Sequence, residues 1–366
     1  MGTGFLCDAA YIRHVSSPYN TSQVKAYLRK IQWPGDLAEA EAIEPNLDNL
    51  RTVMILHALA FPIDNTDLHY TPEHHMPVTP QELYERMVLG GKGSYCFGQN
   101  SLMLGILRGL GYRVYPAAGR VLVPSRQPSS PAGAVEYTPF SHLVLLVQPH
   151  QAPHANATYL VDVGFGGTGP VRPILLADGG TDVPQRVDDT GGSGEWSGGW
   201  VWGSYPPERH RVVRGAYAGS SLEVHPNSGR APLRDWHLQV SHSTPFSWKT
   251  LYTFTETEFF RWDVEAASFA VSHLPGQIFN ATIVCVRLFE VPLEAGDDDK
   301  VETEDLVWMG KWTLEAGRAT RRVGARVVEE RAFGSERERL EVIRDVFGLA
   351  VSVDDARWIE GRPAAL

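Results

Sequence analysis

The chain has 366 residues, of which 43% are hydrophobic and 21% are charged, a mixture typical of globular domains and not of disordered chains. Its formal net charge of −10 argues against nucleic acid as the main partner, because phosphate binding depends on lysine and arginine. No run of about 18 apolar residues predicts a transmembrane helix, and the first residues lack the pattern of a secretory signal. We therefore expect a cytoplasmic protein of two or three domains.

The first 110 residues are predicted to be helical. Apolar side chains recur at helical spacing in 24–33 and in 46–61, where Asn46 is the expected N-cap. Residues 79–91 open with Thr-Pro, carry a glutamate three residues after the threonine and close with Gly-Gly, which predicts a third helix. The segment 1–110 is therefore expected to form a helical bundle.

Cys96 is the cysteine in the most informative position. It follows a Gly/Ser turn, and the next predicted helix begins at about Phe97, so Cys96 lies at or near a helix N-terminus. A helix N-terminus favours the thiolate, which is the nucleophilic form of cysteine. Cys285 lies in a β-rich run and is interpreted as a small buried apolar residue, and Cys7 has a weak context. Three cysteines without zinc-ligand spacing predict neither a disulfide framework nor a metal site.

Beyond residue 111 the pattern changes to that of strands, with a helix at the end of the chain. The predicted strands lie within 112–123, 140–147, 157–165, 236–241 and 248–256, with a hairpin in 305–316 and a helix at 335–347. Loops are expected at 124–134 and 176–199, and an acidic linker at 294–305. We expect a second domain over 111–230 and a third over 231–366.

Two polar residues stand inside these apolar strands. His142 opens HLVLLV and Asp162 interrupts YLVDVGF; a buried carboxylate is costly unless it is paired. Adjacent antiparallel strands would bring the two side chains together. With Cys96 they would form a nucleophile, a base and a group that orients the base. The same order of cysteine, histidine and aspartate occurs in papain-like and transglutaminase-like enzymes, so the order alone does not identify the family.

The residues around the three candidates resemble arylamine N-acetyltransferases. The matching stretches are HALAFPIDN (57–65), KGSYCFGQN (92–100), YLVDVGFGG (159–167), FSWKTLYTF (246–254) and SHLPGQIFN (272–280). The resemblance extends from about residue 24 to residue 350, interrupted by the loops. Those extra loops are similar to the ones of fungal members.

The resemblance implies an α+β multidomain fold, with a helical bundle, then a β-barrel, then an α/β lid, and a papain-like Cys-His-Asp site. It implies a ping-pong acetyl transfer from acetyl-coenzyme A to an arylamine or arylhydrazine through an acyl-Cys96 intermediate, with His142 and Asp162 completing the triad. Phe165, Phe279 and Ile63 would line the acceptor pocket. Malonyl- or propionyl-coenzyme A remain alternative donors, and the natural amine, a role in xenobiotic metabolism and the oligomeric state are open.

The chain departs from the family pattern close to Cys96. Lys92 stands where the family has an arginine, and a lysine cannot form the bidentate fork of a guanidinium. Ser94 replaces a glycine, Gly98 replaces a glutamate, and Ile63 replaces a phenylalanine. The first three changes are expected to perturb the turn that holds Cys96.

Two other classes of protein fit the same three residues. A cysteine hydrolase or transglutaminase-like enzyme would use the same three residues on an amide, and a binding protein on a decayed enzyme scaffold would carry an unreactive Cys96. A dinucleotide site is not expected at 164–169, although its glycines fit the spacing, because Pro170 follows where a helix would have to begin. Adjacent His74 and His75 have no third ligand in the pattern, so no metal is predicted.

Overall fold

The computed structural model describes most of the chain. The described residues are 4–35, 43–124, 135–150, 156–177, 199–215, 220–221, 235–293, 306–315 and 317–366. The loop predicted at 124–134 lies outside them except for residue 124, and the loop predicted at 176–199 except for residues 176, 177 and 199. The acidic linker predicted at 294–305 lies outside them altogether.

The described helices agree broadly with the sequence pattern. They are α1 (Thr21–Lys30), α2 (Leu47–Ala60), α3 (Asp67–Tyr70), α4 (Pro80–Leu83), α5 (Cys96–Gly109), α6 (Arg261–His273), α7 (Ile278–Ala281) and α8 (Glu336–Phe347), with short 3₁₀ turns at Cys7–Ala9 and Val353–Trp358. Asn46 caps α2 as predicted, since its side chain accepts a 2.9 Å hydrogen bond from the Asn49 amide. Helix α5 begins at Cys96 itself.

The third predicted helix is not one regular helix. α4 ends at Leu83, and the chain continues as a π-helical segment at Tyr84–Leu89. Thr79 precedes Pro80 as expected, but its side chain caps no backbone amide; its hydroxyl donates to the Glu82 carboxylate instead. Hydrophobic spacing alone does not distinguish an α-helix that widens into a π-helical segment from a regular one.

A nine-stranded antiparallel sheet forms the centre of the molecule. Its strands are β2 (Arg113–Pro124), β3 (Val135–Tyr137), β4 (His142–Gln148), β5 (Tyr159–Val161), β6 (Ile174–Leu175), β7 (Val201–Trp202), β8 (Arg209–Gly215), β9 (Asp235–Ser241) and β10 (Lys249–Glu258). Their order is β6-β5-β4-β2-β10-β9-β8-β7, with β3 paired to β2. Strand β6 also contacts β8, so the sheet curls into a nearly closed barrel.

Strand β4 is buried on both faces, which explains its continuous apolar run. Val144 and Leu146 face the barrel interior, whereas Leu145 and Val147 pack against the helical layer that contains α1, α2 and α5. Because side chains alternate along a strand, His142 lies on the same face as Val144 and Leu146. It therefore stands at the end of the barrel interior.

A second sheet and α8 form the α/β unit of the fold. Its strands are β1 (Ile63–Asp64), β11 (Cys285–Val291), β12 (Trp308–Glu315), β13 (Arg318–Val323) and β14 (Arg326–Ala332), paired in the order β1-β11-β12-β13-β14. The hairpin predicted within 305–316 is wrong as placed: β12 occupies this stretch as a single strand, and its hairpin partner is β13, which begins after it. Cys285 is buried under α8, as the sequence predicts. The fold class is thus the α+β arrangement of helices, barrel and α/β unit.

The barrel sheet extends across residue 231, where the sequence analysis places the start of the third domain. Strands β9 and β10 lie after this position, yet they pair with β8 and β2 of the barrel. The division of the chain at 110/111 and 230/231 stays a prediction.

Candidate active site

Cys96 occupies the first residue of α5, after Tyr95 in an extended conformation. The residue is 4% exposed, and its Sγ lies 3.8 Å from the carbonyl oxygen of Ser141, which immediately precedes β4. The amide groups of a first helical turn point away from the helix and stabilise a negative charge at this position. The turn, α5 and β4 thus place the thiol at the end of the barrel.

His142 and Asp162 form a buried pair beside it. The Nε2 of His142 lies 2.7 Å from the Oδ2 of Asp162, and the two residues are 2% and 1% exposed. Strands β4 and β5 pair antiparallel with Leu145 opposite Val161, so Asp162, directly after β5, lies diagonally across from His142 on the same face. The structure therefore brings the two residues together as the sequence predicts.

The electrostatics favour a charged imidazolium. Burial alone would lower the pKa of His142, but the adjacent Asp162 carboxylate outweighs it, the Cys96 side chain adds to the effect, and the pKa rises to about 10. Burial alone would raise the pKa of Asp162, but the imidazolium and the hydrogen bonds that it accepts lower it. At neutral pH the site thus holds a protonated His142 and an ionised Asp162.

Two further side chains bind Asp162, and the sequence analysis assigned neither of them a role in the site. The Tyr252 hydroxyl donates to Oδ2 at 2.8 Å, and the Asn100 amide donates to Oδ1 at 3.0 Å. The amide of Gly164 also donates to Oδ1 at 2.9 Å. With His142, the carboxylate accepts four hydrogen bonds, which fix its orientation in a buried environment. Asn100 carried a signal in the sequence, since it lies one helical turn after Cys96.

A hydrogen-bonded chain lies behind the turn that precedes Cys96. The Gln99 amide donates to the carbonyl oxygens of Pro62 and Ser94 at 2.7 and 3.1 Å, and its Oε1 lies 2.8 Å from His57 Nε2. Tyr27 donates to His57 Nδ1 at 2.9 Å, because burial lowers the pKa of this imidazole to about 4 and keeps it neutral. Every polar group of Gln99 and His57 is thus satisfied, which holds the turn rigidly.

Ser94 and Gly98, two departures from the family pattern, contact each other. A Cβ atom at position 98 would lie 2.0 Å from the Oγ and 2.6 Å from the Cβ of Ser94. Only a glycine at 98 leaves room for the serine at 94. The two departures are therefore complementary in volume and leave α5 intact.

Cys96 and His142 line a cavity of about 430 Å³, to which Phe165 and Phe279 also contribute. The Phe165 ring lies edge-on to His142 with centroids 5.2 Å apart. Ile63 does not line this cavity; it borders a separate space of about 30 Å³, because β1 pairs with β11 at the edge of the second sheet. Further apolar walls come from Val121, Val123, Val271 and Ile278.

Within the described residues, no group of histidine, cysteine, aspartate or glutamate side chains has the arrangement of a metal site. No described helix is long and apolar enough to cross a membrane. The cytoplasmic location stays a prediction.

A family model described as N-acetyltransferase matches residues 46–190, which contain Cys96, His142 and Asp162. The N-malonyltransferase FDB2 of Gibberella moniliformis is 25% identical over 354 residues, covering 92% of this chain and 91% of the relative. An arylamine N-acetyltransferase of Mycobacterium tuberculosis is 36% identical over 171 residues, which span 45% of this chain and 54% of the relative.

Two solved structures share the fold. The arylamine N-acetyltransferase from Salmonella typhimurium superimposes with a TM-score of 0.65 at 20% identity, covering 93% of this chain and 98% of that one. The Mycobacterium marinum arylamine N-acetyltransferase in complex with CoA gives a TM-score of 0.59 at 24% identity, covering 89% and 92%. The similarity of fold thus extends over nearly the whole of both chains in each pair.

Proposed function

Because this chain is an acyltransferase of the arylamine N-acetyltransferase family, we propose that it transfers an acetyl group from acetyl-coenzyme A to an arylamine or arylhydrazine. In this proposal the Sγ of Cys96 carries the acetyl group between the two substrates. The observation that carries the proposal is the position of Cys96 at a helix N-terminus beside the 2.7 Å His142–Asp162 pair. A thiol, an imidazolium and an oriented carboxylate are the groups that nucleophilic acyl transfer needs.

In the first half-reaction the Cys96 thiolate attacks the thioester carbonyl. The backbone N–H of Cys96, one of the helix amides without an intrahelical acceptor, would stabilise the oxyanion in this proposal. The tetrahedral intermediate collapses, the bond to the coenzyme A sulfur breaks, and His142 gives that sulfur its proton. One thioester replaces another, so the step is nearly balanced in energy.

In the second half-reaction the amine attacks the acetyl-Cys96 thioester. Neutral His142 accepts a proton from the amine nitrogen, the bond to Sγ breaks, and the amide product leaves. The thiolate and the imidazolium are thereby restored. Asp162 keeps the imidazole oriented and favours its charged form in both steps.

The cavity beside Cys96 supports an aromatic acceptor. The rings of Phe165 and Phe279, with valine and isoleucine side chains, supply apolar walls that an aryl group can contact. The position of Ile63 outside this lining gives it no direct contact with an acceptor bound there.

The lining of the cavity favours an uncharged acyl group. Among the described lining residues, Glu136 is acidic and there is no lysine or arginine. A malonyl group would bring a carboxylate of its own into this space, where His142 is the only cationic group among the described lining residues. Acetyl transfer is therefore the first proposal. Malonyl transfer is the second candidate, favoured by the similarity to an N-malonyltransferase over 92% of the chain.

Intact-protein mass spectrometry tests the proposal. The protein is mixed briefly with acetyl-coenzyme A or malonyl-coenzyme A without an amine, and the adduct is mapped by proteolysis. We expect a single acetyl adduct on Cys96 that an arylamine removes, and none in Cys96→Ser. A malonyl adduct alone would favour the second candidate. An adduct that water removes as fast as an amine does would favour a hydrolase, and the absence of any adduct would contradict both donors.

A further inference from the structure

The turn before Cys96 lacks the arginine of the family pattern, and Lys92, which stands in that position, binds Asp67. The Lys92 Nζ donates to Asp67 Oδ1 at 2.8 Å, and its side chain is 22% exposed. Among the described residues, this ammonium makes no hydrogen bond to a carbonyl oxygen of the turn. A partly exposed ion pair of this kind contributes little to rigidity.

Arg86 makes the contacts that a guanidinium fork allows. Its Nε donates to the carbonyl oxygen of Gly93 at 2.7 Å, its Nη2 donates to Asp64 Oδ2 at 2.7 Å, and its Nη1 donates to Asp67. The Arg86 side chain is 5% exposed and that of Asp64 is 0% exposed. A buried, planar guanidinium that donates from each of its three nitrogens fixes its partners in both distance and direction.

Arg86 lies within the π-helical segment Tyr84–Leu89, which directs its side chain toward the turn. The amide of Gly90 bonds to the carbonyl of Glu85, five residues earlier, and the amide of Lys92 bonds to the carbonyl of Arg86. A π-helical segment rotates the following residues relative to a regular helix, and such segments occur frequently at functional sites.

The contacts of Arg86 connect directly to the backbone that carries Cys96. Gly93 packs so closely on β1 that a Cβ there would lie 1.9 Å from the carbonyl oxygen of Pro62. The next residue, Ser94, accepts a 3.2 Å hydrogen bond from the Asp64 amide. Arg86 therefore binds both the turn and the neighbouring strand β1, and its contact at Gly93 lies three residues before Cys96, the first residue of α5.

We propose that Arg86 is the positioning residue of the nucleophile: its guanidinium, bound to Gly93, Asp64 and Asp67, holds the turn that places Cys96 against His142. From position 86 it makes the paired contacts of a guanidinium, which a lysine at position 92 cannot make. The proposal rests on the proposed acyl transfer for its kinetic consequence, but the position of the thiol is measurable without any acyl donor.

The test compares Arg86→Lys, which keeps the charge and removes the fork, with Lys92→Gln as the matched control. We expect Arg86→Lys to slow acylation of Cys96 at saturating donor by between about tenfold and about a hundredfold, the loss typical of a misplaced reacting group. Lys92→Gln should change the rate by no more than about twofold, since it breaks one partly exposed ion pair.

Alkylation of Cys96 by iodoacetamide across pH distinguishes positioning from stability. In Arg86→Lys the rate of alkylation across this pH range should fall relative to the wild-type protein, whereas Lys92→Gln should keep the wild-type profile. Asp64→Asn, which weakens the Nη2 contact but keeps the Gly93 contact, should shift the profile in the same direction by less. It replaces Arg86→Lys if that variant does not fold.

Wild-type rates and an unchanged alkylation profile in folded Arg86→Lys, or in Asp64→Asn, would overturn the proposal, even with a lowered melting temperature. If the wild-type protein forms no acyl adduct, the proposed function fails, and the alkylation profiles still decide the role of Arg86.

Discussion

The contact between Ser94 and Gly98 predicts a specific coupling between two substitutions. In Gly98→Ala the new Cβ would lie 2.0 Å from the Ser94 Oγ, 2.6 Å from its Cβ and 2.9 Å from Leu83 Cδ2. Overpacking of this kind costs about 1–3 kcal/mol, whereas alanine gains about 1 kcal/mol over glycine inside a helix. The single variant should therefore lie between neutral and about 2 kcal/mol less stable than the wild-type protein.

Removing the Ser94 side chain changes the sign of this effect. In a Ser94→Gly background the nearest remaining atom is the end of the flexible Leu83 side chain, so Gly98→Ala should stabilise by up to about 1 kcal/mol. The two single variants and the double variant form a double-mutant cycle with the wild-type protein. The backbone entropy cost of the glycine at position 94 is present in both Ser94→Gly proteins and cancels in the coupling energy. The coupling energy should thus equal the relieved clash, about 1–3 kcal/mol.

Urea unfolding of the wild-type protein, the two single variants and the double variant measures this coupling energy. Fluorescence and circular dichroism must give coincident transitions for the values to be comparable. Additive effects within about 0.5 kcal/mol would mean that the two positions do not share space, and would refute the complementary packing of these two departures.

Three further predictions concern the candidate site. Tyr252→Phe removes one donor to the Asp162 carboxylate and should slow acylation of Cys96 about tenfold or more, since a hydrogen bond to a charged group contributes about 1.5–3 kcal/mol. Rapid-quench mass spectrometry measures this rate, and a wild-type rate would contradict the role of Tyr252. In Cys96→Ala, Asp162 still raises the pKa of His142, although the contribution of Cys96 is lost. The free energy of unfolding should therefore fall as pH rises above about 6.5, by up to about 1.4 kcal/mol per pH unit, and Asp162→Asn in the same background should abolish that slope. Phe279→Ala should raise the KM for the arylamine and leave the donor half-reaction unchanged; an equal loss in both half-reactions would place Phe279 outside the acceptor pocket.

The pairing of His142 with Asp162 was predictable because each stands alone in an apolar strand. A buried carboxylate needs a partner, and adjacent strands of an antiparallel sheet offer one across the pair. The position of Cys96 was predictable for a similar local reason, since a Gly/Ser turn followed by apolar helical spacing indicates a helix start.

Tyr252 could not be assigned in the same way, because its contact with Asp162 depends on long-range pairing. β10 reaches the site only through its pairing with β2, which lies more than a hundred residues earlier in the chain. The sequence pattern predicts a strand there, but strand neighbours in a curled sheet follow from closure of the whole barrel.

Arg86 was missed for a different reason. A charged residue within a predicted amphipathic helix is usually solvated. The spacing of the apolar residues does not indicate the π-helical segment in which the buried Arg86 lies. Lys92 departs from the family pattern, whereas Arg86, which binds the turn, lies six positions earlier in the chain. The local pattern identified the altered turn but not the side chain that supports it.

Time-resolved mixing of the protein with acetyl-coenzyme A, followed by the release of free coenzyme A thiol, tests the acyl-Cys96 intermediate most directly. Without an amine, the account predicts a rapid burst of thiol stoichiometric with the protein, absent in Cys96→Ala, and an acetyl group on Cys96 that an arylamine removes at least as fast as the enzyme turns over. Release of thiol only when the amine is present would contradict the account, because the acyl group would then pass directly from donor to acceptor.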